Sequence, residues 1–347
     1  SLQASTDNGA SWATVATGLT LDPYGNGQTL WTPDTETVGN TARLRVVATI
    51  NPVGGPITVS DVSDEGFLIA NAGNRYYVND GGLAGDEYTT AVGDNANSGK
   101  DASRPMASLA ALLRAYDLDA GDIIYVDSGS YSLATNIVLG AQDSGVVIQG
   151  AQQPGHATVL DRGNTNTGAY VFEMQGADDV TLQNLQITGA LQGVYANTNV
   201  DSDRVSVIDS RVYGNANWGV YARTGNDGWG VAGNLIEYNA SGGVNLEGTD
   251  ALVEGNEVAR NTGWGVDAAG ARARVLDNVV YANSNGVYTN YSAGWANRAL
   301  IEGNRVFDNS TGIQSNYDAE VRDNEVWGNT SYGVAVYYGA QGHDNLS

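Results

Sequence analysis

The segment VEGNEVARNTGWGV, residues 253–266, has near-copies in VAGNLIEYNASGGV from Val231, VLDNVVYANSNGV from Val275, IEGNRVFDNSTGI from Ile301 and VRDNEVWGNTSYGV from Val321. A glycine followed by an aliphatic recurs at Gly193, Gly219, Gly243, Gly265, Gly286, Gly312 and Gly333, at spacings of 26, 24, 22, 21, 26 and 21 residues. Eight or nine residues before each lies a polar residue: Asn184, Ser210, Asn234, Asn256, Asn278, Asn304 and Asn324. Five residues further on is another Asn, at 215, 239, 261, 283, 309 and 329. A repeat this short cannot bury an apolar face alone, so it folds only by stacking on its neighbours.

Three short strands and three turns per repeat make one coil of a parallel solenoid. Coils stack about 4.8 Å apart, so the nine or ten that fit between residue 123 and the end predict a rod roughly 45 Å long. Val258, Val266, Val280, Val287, Val306, Ile313, Val326 and Val334 fall at the inward positions. The turn asparagines, Asn234, Asn256, Asn278, Asn304 and Asn324 above all, are expected in the left-handed conformation with their amides bonded coil to coil. Each corner glycine is expected to supply a positive φ. Sequons at Asn239, Asn309 and Asn329 fall on the second Asn series and read as turn chemistry.

Two other segments precede the repeats. Residues 1–73 show period-two alternation in SWATVATGL, GQTLWTP, TARLRVVATI, PITVSDVS and GFLIA, which predicts a small antiparallel β-sandwich lacking its first strand. Through STDNGASW, ARLRVVA and SDVSDEGFLI it resembles the Ig-like and fibronectin-type modules of bacterial surface proteins. In residues 74–130, MASLAALLRAYDL has a helical apolar period, with Pro105 expected in its first turn, and AGDIIYVDSGSYSL returns to strand. That arrangement resembles the N-terminal cap of pectate-lyase-like right-handed β-helix proteins, in which a short amphipathic helix covers the open end of the core. The fold class expected is therefore all-β: a sandwich over 1–73, then a capped right-handed parallel β-helix over 74–347, cut from a longer polypeptide.

Composition narrows the function. Net charge is −23, of which residues 1–73 carry −5. Phosphate neutralisation needs Lys and Arg in excess, so nucleic acid is excluded as a partner. No apolar run is long enough to span a bilayer as a helix, and the absence of cysteine removes thiolate chemistry. A uronate lyase needs a base and a cation, but Lys100 is the only lysine and His156 and His343 the only histidines. Arg204, Arg211, Arg223, Arg260 and Arg305 share no obvious face and read as surface ion pairs. The carboxylate pairs Asp201/Asp203 and Glu247/Asp250 lack the flanking pattern of pectinase-type hydrolases, and no serine-nucleophile or phosphate-loop motif is present.

Two features remain. Oxygen donors around Asp94, Asp201, Asp203 and 317–325 make calcium a candidate ligand, with no other cofactor indicated. Aromatics fall in register. Three residues beyond the first Asn series are Tyr213, Tyr281, Phe307 and Trp327, expected to face outward and stack. Trp218, Trp264 and Tyr332 precede the corner glycine, and Tyr195, Tyr221 and Tyr288 lie two residues after it. Exposed aromatic rows contact sugar rings or partner chains. The reading is a non-catalytic structural or adhesive segment of a large secreted or cell-surface bacterial protein, with polysaccharide or neighbouring copies of the same protein as partners. The alternative is a polysaccharide lyase or epimerase working in a groove over residues 195–290, with Tyr221 or Tyr288 as base and an Arg or calcium neutralising the substrate.

Overall fold

A computed structural model describes residues 1–346 apart from 34, 35, 38, 39, 51, 71 and 291–293. The chain opens with a four-stranded antiparallel sheet in the order Ala13–Ala16, Leu2–Ser5, Arg43–Ile50, Ile57–Val62. Residues 27–33, expected to pair, lie outside it, and Phe67 reaches it only through a bridge to Ala42. An ion pair from Arg104 to Glu36 at 2.5 Å ties this segment to the cap that follows.

The capping helix is Leu109–Ala115. Ser108 caps it, accepting from the Ala111 amide at 3.2 Å, and Leu109 and Leu112 are buried over the end of the core. Pro105 therefore lies ahead of the helix and not in its first turn. Met106 is held in extended pairing first: its amide donates to Tyr77 O and its carbonyl accepts from the Asn79 amide, both at 2.9 Å.

The remainder winds as a right-handed parallel β-helix with three sheets. Among the described residues the first sheet has eleven strands and the second and third have nine each. Strand pairing is in register across coils, so like residues stack. One inward column runs Val194, Val220, Val244, Val266, Val287, Ile313, Val334. A second runs Val212, Ile236, Val258, Val280, Val306, Val326. All but Val334 are enclosed, and each buried valine contributes about 1.5–3 kcal/mol.

The turns hold buried amides. Asn234, Asn256, Asn278 and Asn304 each donate a backbone N–H to the side-chain oxygen of the next rung, ending at Asn324, at 2.9–3.0 Å. Each side-chain amide also donates to that oxygen and back to a carbonyl of the preceding coil, as Asn256 Nδ2 does to Val231 O at 2.8 Å. The second series, Asn215 to Asn329, repeats the pattern.

Two details differ from expectation. The left-handed residue is the one before each rung, for example Asp209, Gly233, Gly255 and Asp277, because the rung's own N–H must point along the ladder. Asn184 takes this left-handed place, and Leu185 stands at the rung, its amide donating to Ser210 Oγ at 3.1 Å. The corner glycines, in turn, have no positive φ. They are required by space: a Cβ on Gly265 would lie 2.7 Å from Val280 Cγ1, 2.9 Å from Gly286 O and 3.0 Å from Asn283 Nδ2.

Candidate functional site

The outer row of the second sheet runs Tyr213, Glu237, Ala259, Tyr281, Phe307, Trp327. Tyr281 and Phe307 stack at 5.0 Å and 1°, and Phe307 and Trp327 at 4.5 Å and 9°. Parallel stacking along the rod uses the ring faces on each other and leaves mainly edges outward. The Tyr281 hydroxyl donates to Glu257 at 2.7 Å, and the Arg211 guanidinium covers Tyr213 at 4.1 Å. This row is packed within itself.

The third sheet is different. Its outer row runs Tyr195, Tyr221, Asn245, Asp267, Tyr288, Gln314, alternating with the core columns. Beside it lies a second row, Trp218, Gly242, Trp264, Asn285. The Trp218 ring lies over Gly242 so closely that a Cβ there would be 2.1 Å from it. Tyr195 is itself buried and packs on Tyr170 at 4.3 Å. Trp218 neighbours Tyr221 at 6.1 Å, and Trp264 stacks on Tyr288 at 4.6 Å and 24°. Two aromatic pairs thus bracket Asn245 and Asp267, with Tyr221 and Tyr288 three coil steps, about 14 Å, apart.

The floor between these pairs holds polar atoms without partners. Asn245 Oδ1 and Asp267 Oδ1 are enclosed and accept no hydrogen bond, and the same is true of Gln192 Oε1 on this face. Arg223 Nε, beside Tyr221, is an enclosed donor with no acceptor. Native structures leave few buried polar groups unpaired, and each such group calls for an explanation, a bound water or a ligand among them; Asp86 Oδ1, Asp143 Oδ1 and Arg322 Nε are further cases away from this row. Glu247 is well held instead, accepting from the Tyr221 hydroxyl and from the Thr224 amide and hydroxyl, each at 3.0 Å.

Burial, and then the charge of Glu247, push the Asp267 carboxyl up to about 7. Burial, and then Glu247, push the Tyr221 hydroxyl up to about 12, while burial and Asp267 raise Tyr288. Both tyrosines, named above as candidate bases, are therefore held protonated near neutrality. Of the three, Asp267 is the group moved toward neutrality. Neither Asp267 nor Asn245 was singled out from sequence, although both stand two residues after a corner glycine, the position that drew attention to Tyr195, Tyr221 and Tyr288.

The remaining candidates are committed elsewhere. Asp203 Oδ1 accepts from the Asp227 amide at 2.7 Å, and the Asp203 amide donates to Asp178 Oδ1 at 2.8 Å, a short carboxylate ladder of its own. Asp94 closes its turn by accepting from the Ala96 amide at 2.9 Å, and Asp201 is an exposed left-handed residue. Among the described residues no three His, Asp or Glu converge as a metal-holding group. Asp250 pairs with Arg272 at 2.5 Å. Arg204, Arg211, Arg260 and Arg305 each pair with a carboxylate. His156 bonds Glu87 and His343 bonds Asp344, both at 2.9 Å.

The sequence model described as the right handed beta helix region matches residues 122–295 and 192–345. The chain belongs to that family. No curated protein matches the sequence. Among solved structures, pectate lyase Pel9A is similar over 78% of this chain and 79% of its own, at 16% identity and a TM-score of 0.50, a likeness of fold. An alginate lyase from Paenibacillus sp. str. FPU-7 matches over 69% of this chain and 96% of its own, at 17% identity and a TM-score of 0.47. Tailspike protein 2 from Escherichia coli O157:H7 bacteriophage CAB120 matches over 68% of this chain and 36% of its own, at 14% identity and a TM-score of 0.43.

Proposed function

We propose that this β-helix is a non-catalytic rod that lies along a glycan, as part of a large secreted or surface-exposed bacterial protein, and that its third sheet is the contact surface. The observation that carries this reading is the outer row of the third sheet, where aromatic pairs flank unpartnered polar atoms. Sugar rings offer apolar faces to aromatics and hydroxyls to orphan acceptors. The rod geometry supports it, since a regular coil spacing presents the same kind of surface along its length.

A glycan array tests it. Trp264→Ala and Tyr221→Ala should abolish or strongly weaken any binding seen with wild type, while Trp327→Ala on the second sheet should leave it intact. Binding lost equally in Trp327→Ala would move the contact to the second sheet. No binding by wild type would leave a spacer role alone.

A second reading is kept by Asp267, whose near-neutral carboxyl suits general acid–base work in a lyase or epimerase. It is separated by following unsaturated product in the ultraviolet on pectin, alginate and glycosaminoglycans. The expected result is no turnover; turnover that vanishes in Asp267→Asn would replace the non-catalytic reading.

A further inference from the structure

We infer that the Asn245–Asp267 step of the third sheet takes a protonated amino group, so that the glycan this rod contacts carries free amines. The inference rests on the glycan-contacting reading above and names the class of sugar. Three features of this position point the same way.

The unpaired atoms flanked by the aromatic pairs, Asn245 Oδ1 and Asp267 Oδ1, can both act as acceptors. Asn245 is only 8% exposed, while Asp267 beside it in the row is half-buried and open to an incoming donor. An ammonium group donates three hydrogen bonds and accepts none, which makes it the complement of such a floor. The aromatic pairs Trp218/Tyr221 and Trp264/Tyr288 supply ring faces and edges around it, and an indole face attracts a desolvated cation.

Charge decides between ligand classes. Asp267 is half-buried with Glu247 as its charged neighbour. A uronate carboxylate entering here would add a third acid to that pair, on a chain already at −23. An amine does the reverse: it neutralises the buried carboxylate and lets Asp267 ionise at neutral pH. Arg223 does not reverse this balance, because Glu247 lies within its field and opposes it. Its free Nε is left to meet a sugar hydroxyl or ring oxygen next to the amine.

Calorimetry with the full chain at pH 7 tests the inference, using three probes: a glucosamine hexamer, its N-acetylated counterpart and a hexagalacturonate. The glucosamine hexamer should bind more tightly than either of the others, on the order of tenfold. Asp267→Asn should remove that preference, bringing the glucosamine hexamer down to the affinity of its N-acetylated counterpart. Asn245→Ala should lower amine affinity without altering the circular dichroism of the fold. Equal or tighter binding of the N-acetylated or galacturonate hexamer overturns the inference, and so does a preference that survives Asp267→Asn. If some hexamer binds without amine preference and is lost in Trp264→Ala, only the amine assignment falls. If no hexamer binds, the glycan reading falls with it.

Discussion

Asn256 and Asn245 are the same residue type, eleven positions apart and both almost fully enclosed, yet they do opposite things. Asn256 receives the backbone and side-chain N–H groups of Asn234 and donates to Val231 O and Asn278 Oδ1. Asn245 has an enclosed oxygen that nothing reaches. The turn amide is part of what holds the coils at their spacing. The sheet amide has an oxygen that the fold withdraws from water without giving it a partner, and that is what the proposed contact would use. Burial alone does not distinguish the two amides; hydrogen-bond closure does.

The sharpest way to break this contrast is to delete both side chains. Asn256→Ala strands two donors of Asn234 and the carbonyl of Val231, and should destabilise the protein by about 3–5 kcal/mol. Asn245→Ala removes an orphan and should change stability by no more than about 0.5 kcal/mol. Urea unfolding followed by circular dichroism compares them. Similar losses from the two would show that Asn245 is a structural rung after all.

Much of the scaffold is legible in sequence because every coil sets the same problem. Wherever Val244, Val266 or Val287 meets its neighbour, only an aliphatic fits, so the recurrence is visible without coordinates. The turn amides are legible for the same reason. Their conformation is not, because the rung and the left-handed residue are adjacent and both tolerate Asn or Asp. Only the direction of the ladder hydrogen bonds assigns them. The start of the capping helix is obscured by Met106, whose apolar side chain continues the helical period while its backbone pairs with a strand. The site is least legible because Asn245 and Asp267 interrupt an aromatic row. A search for regularity passes over the two positions that depart from it, although the departure is the signal.

Gly265 tests the scaffold side at a smaller scale. Its role is close approach, not left-handed backbone, so the two explanations predict different substitutions. Gly265→Ala should lose about 2–3 kcal/mol, since the added methyl meets Val280, Gly286 and Asn283 from within the core. Pairing it with Val280→Ala, which vacates the nearest contact, should recover part of that loss. Recovery is measurable as non-additivity in a double-mutant cycle, because the two residues touch. Strict additivity would mean that Gly286 O and Asn283, and not Val280, set the cost of the added methyl.

Asp267 tests the site side, and its sign follows from linkage. Its folded carboxyl is raised to about 7 by burial and Glu247, whereas in an unfolded chain it titrates near 3.9. The folded state therefore binds a proton that the unfolded state has already released between those limits. No penalty exists below about pH 4, it grows as pH rises, and it is complete above about pH 7. Asp267→Asn removes the titration and keeps the shape. At pH 8 the variant should be more stable than wild type by up to about 4 kcal/mol, and the gap should close as pH falls to 4. Thermal unfolding of both proteins across that range reads the difference, and shared titrations cancel. A gap that is flat with pH would mean the Asp267 carboxyl is ordinarily solvated. The contrast with the turn ladders would then lose its strongest member, because a carboxylate that water already serves has no need of a ligand.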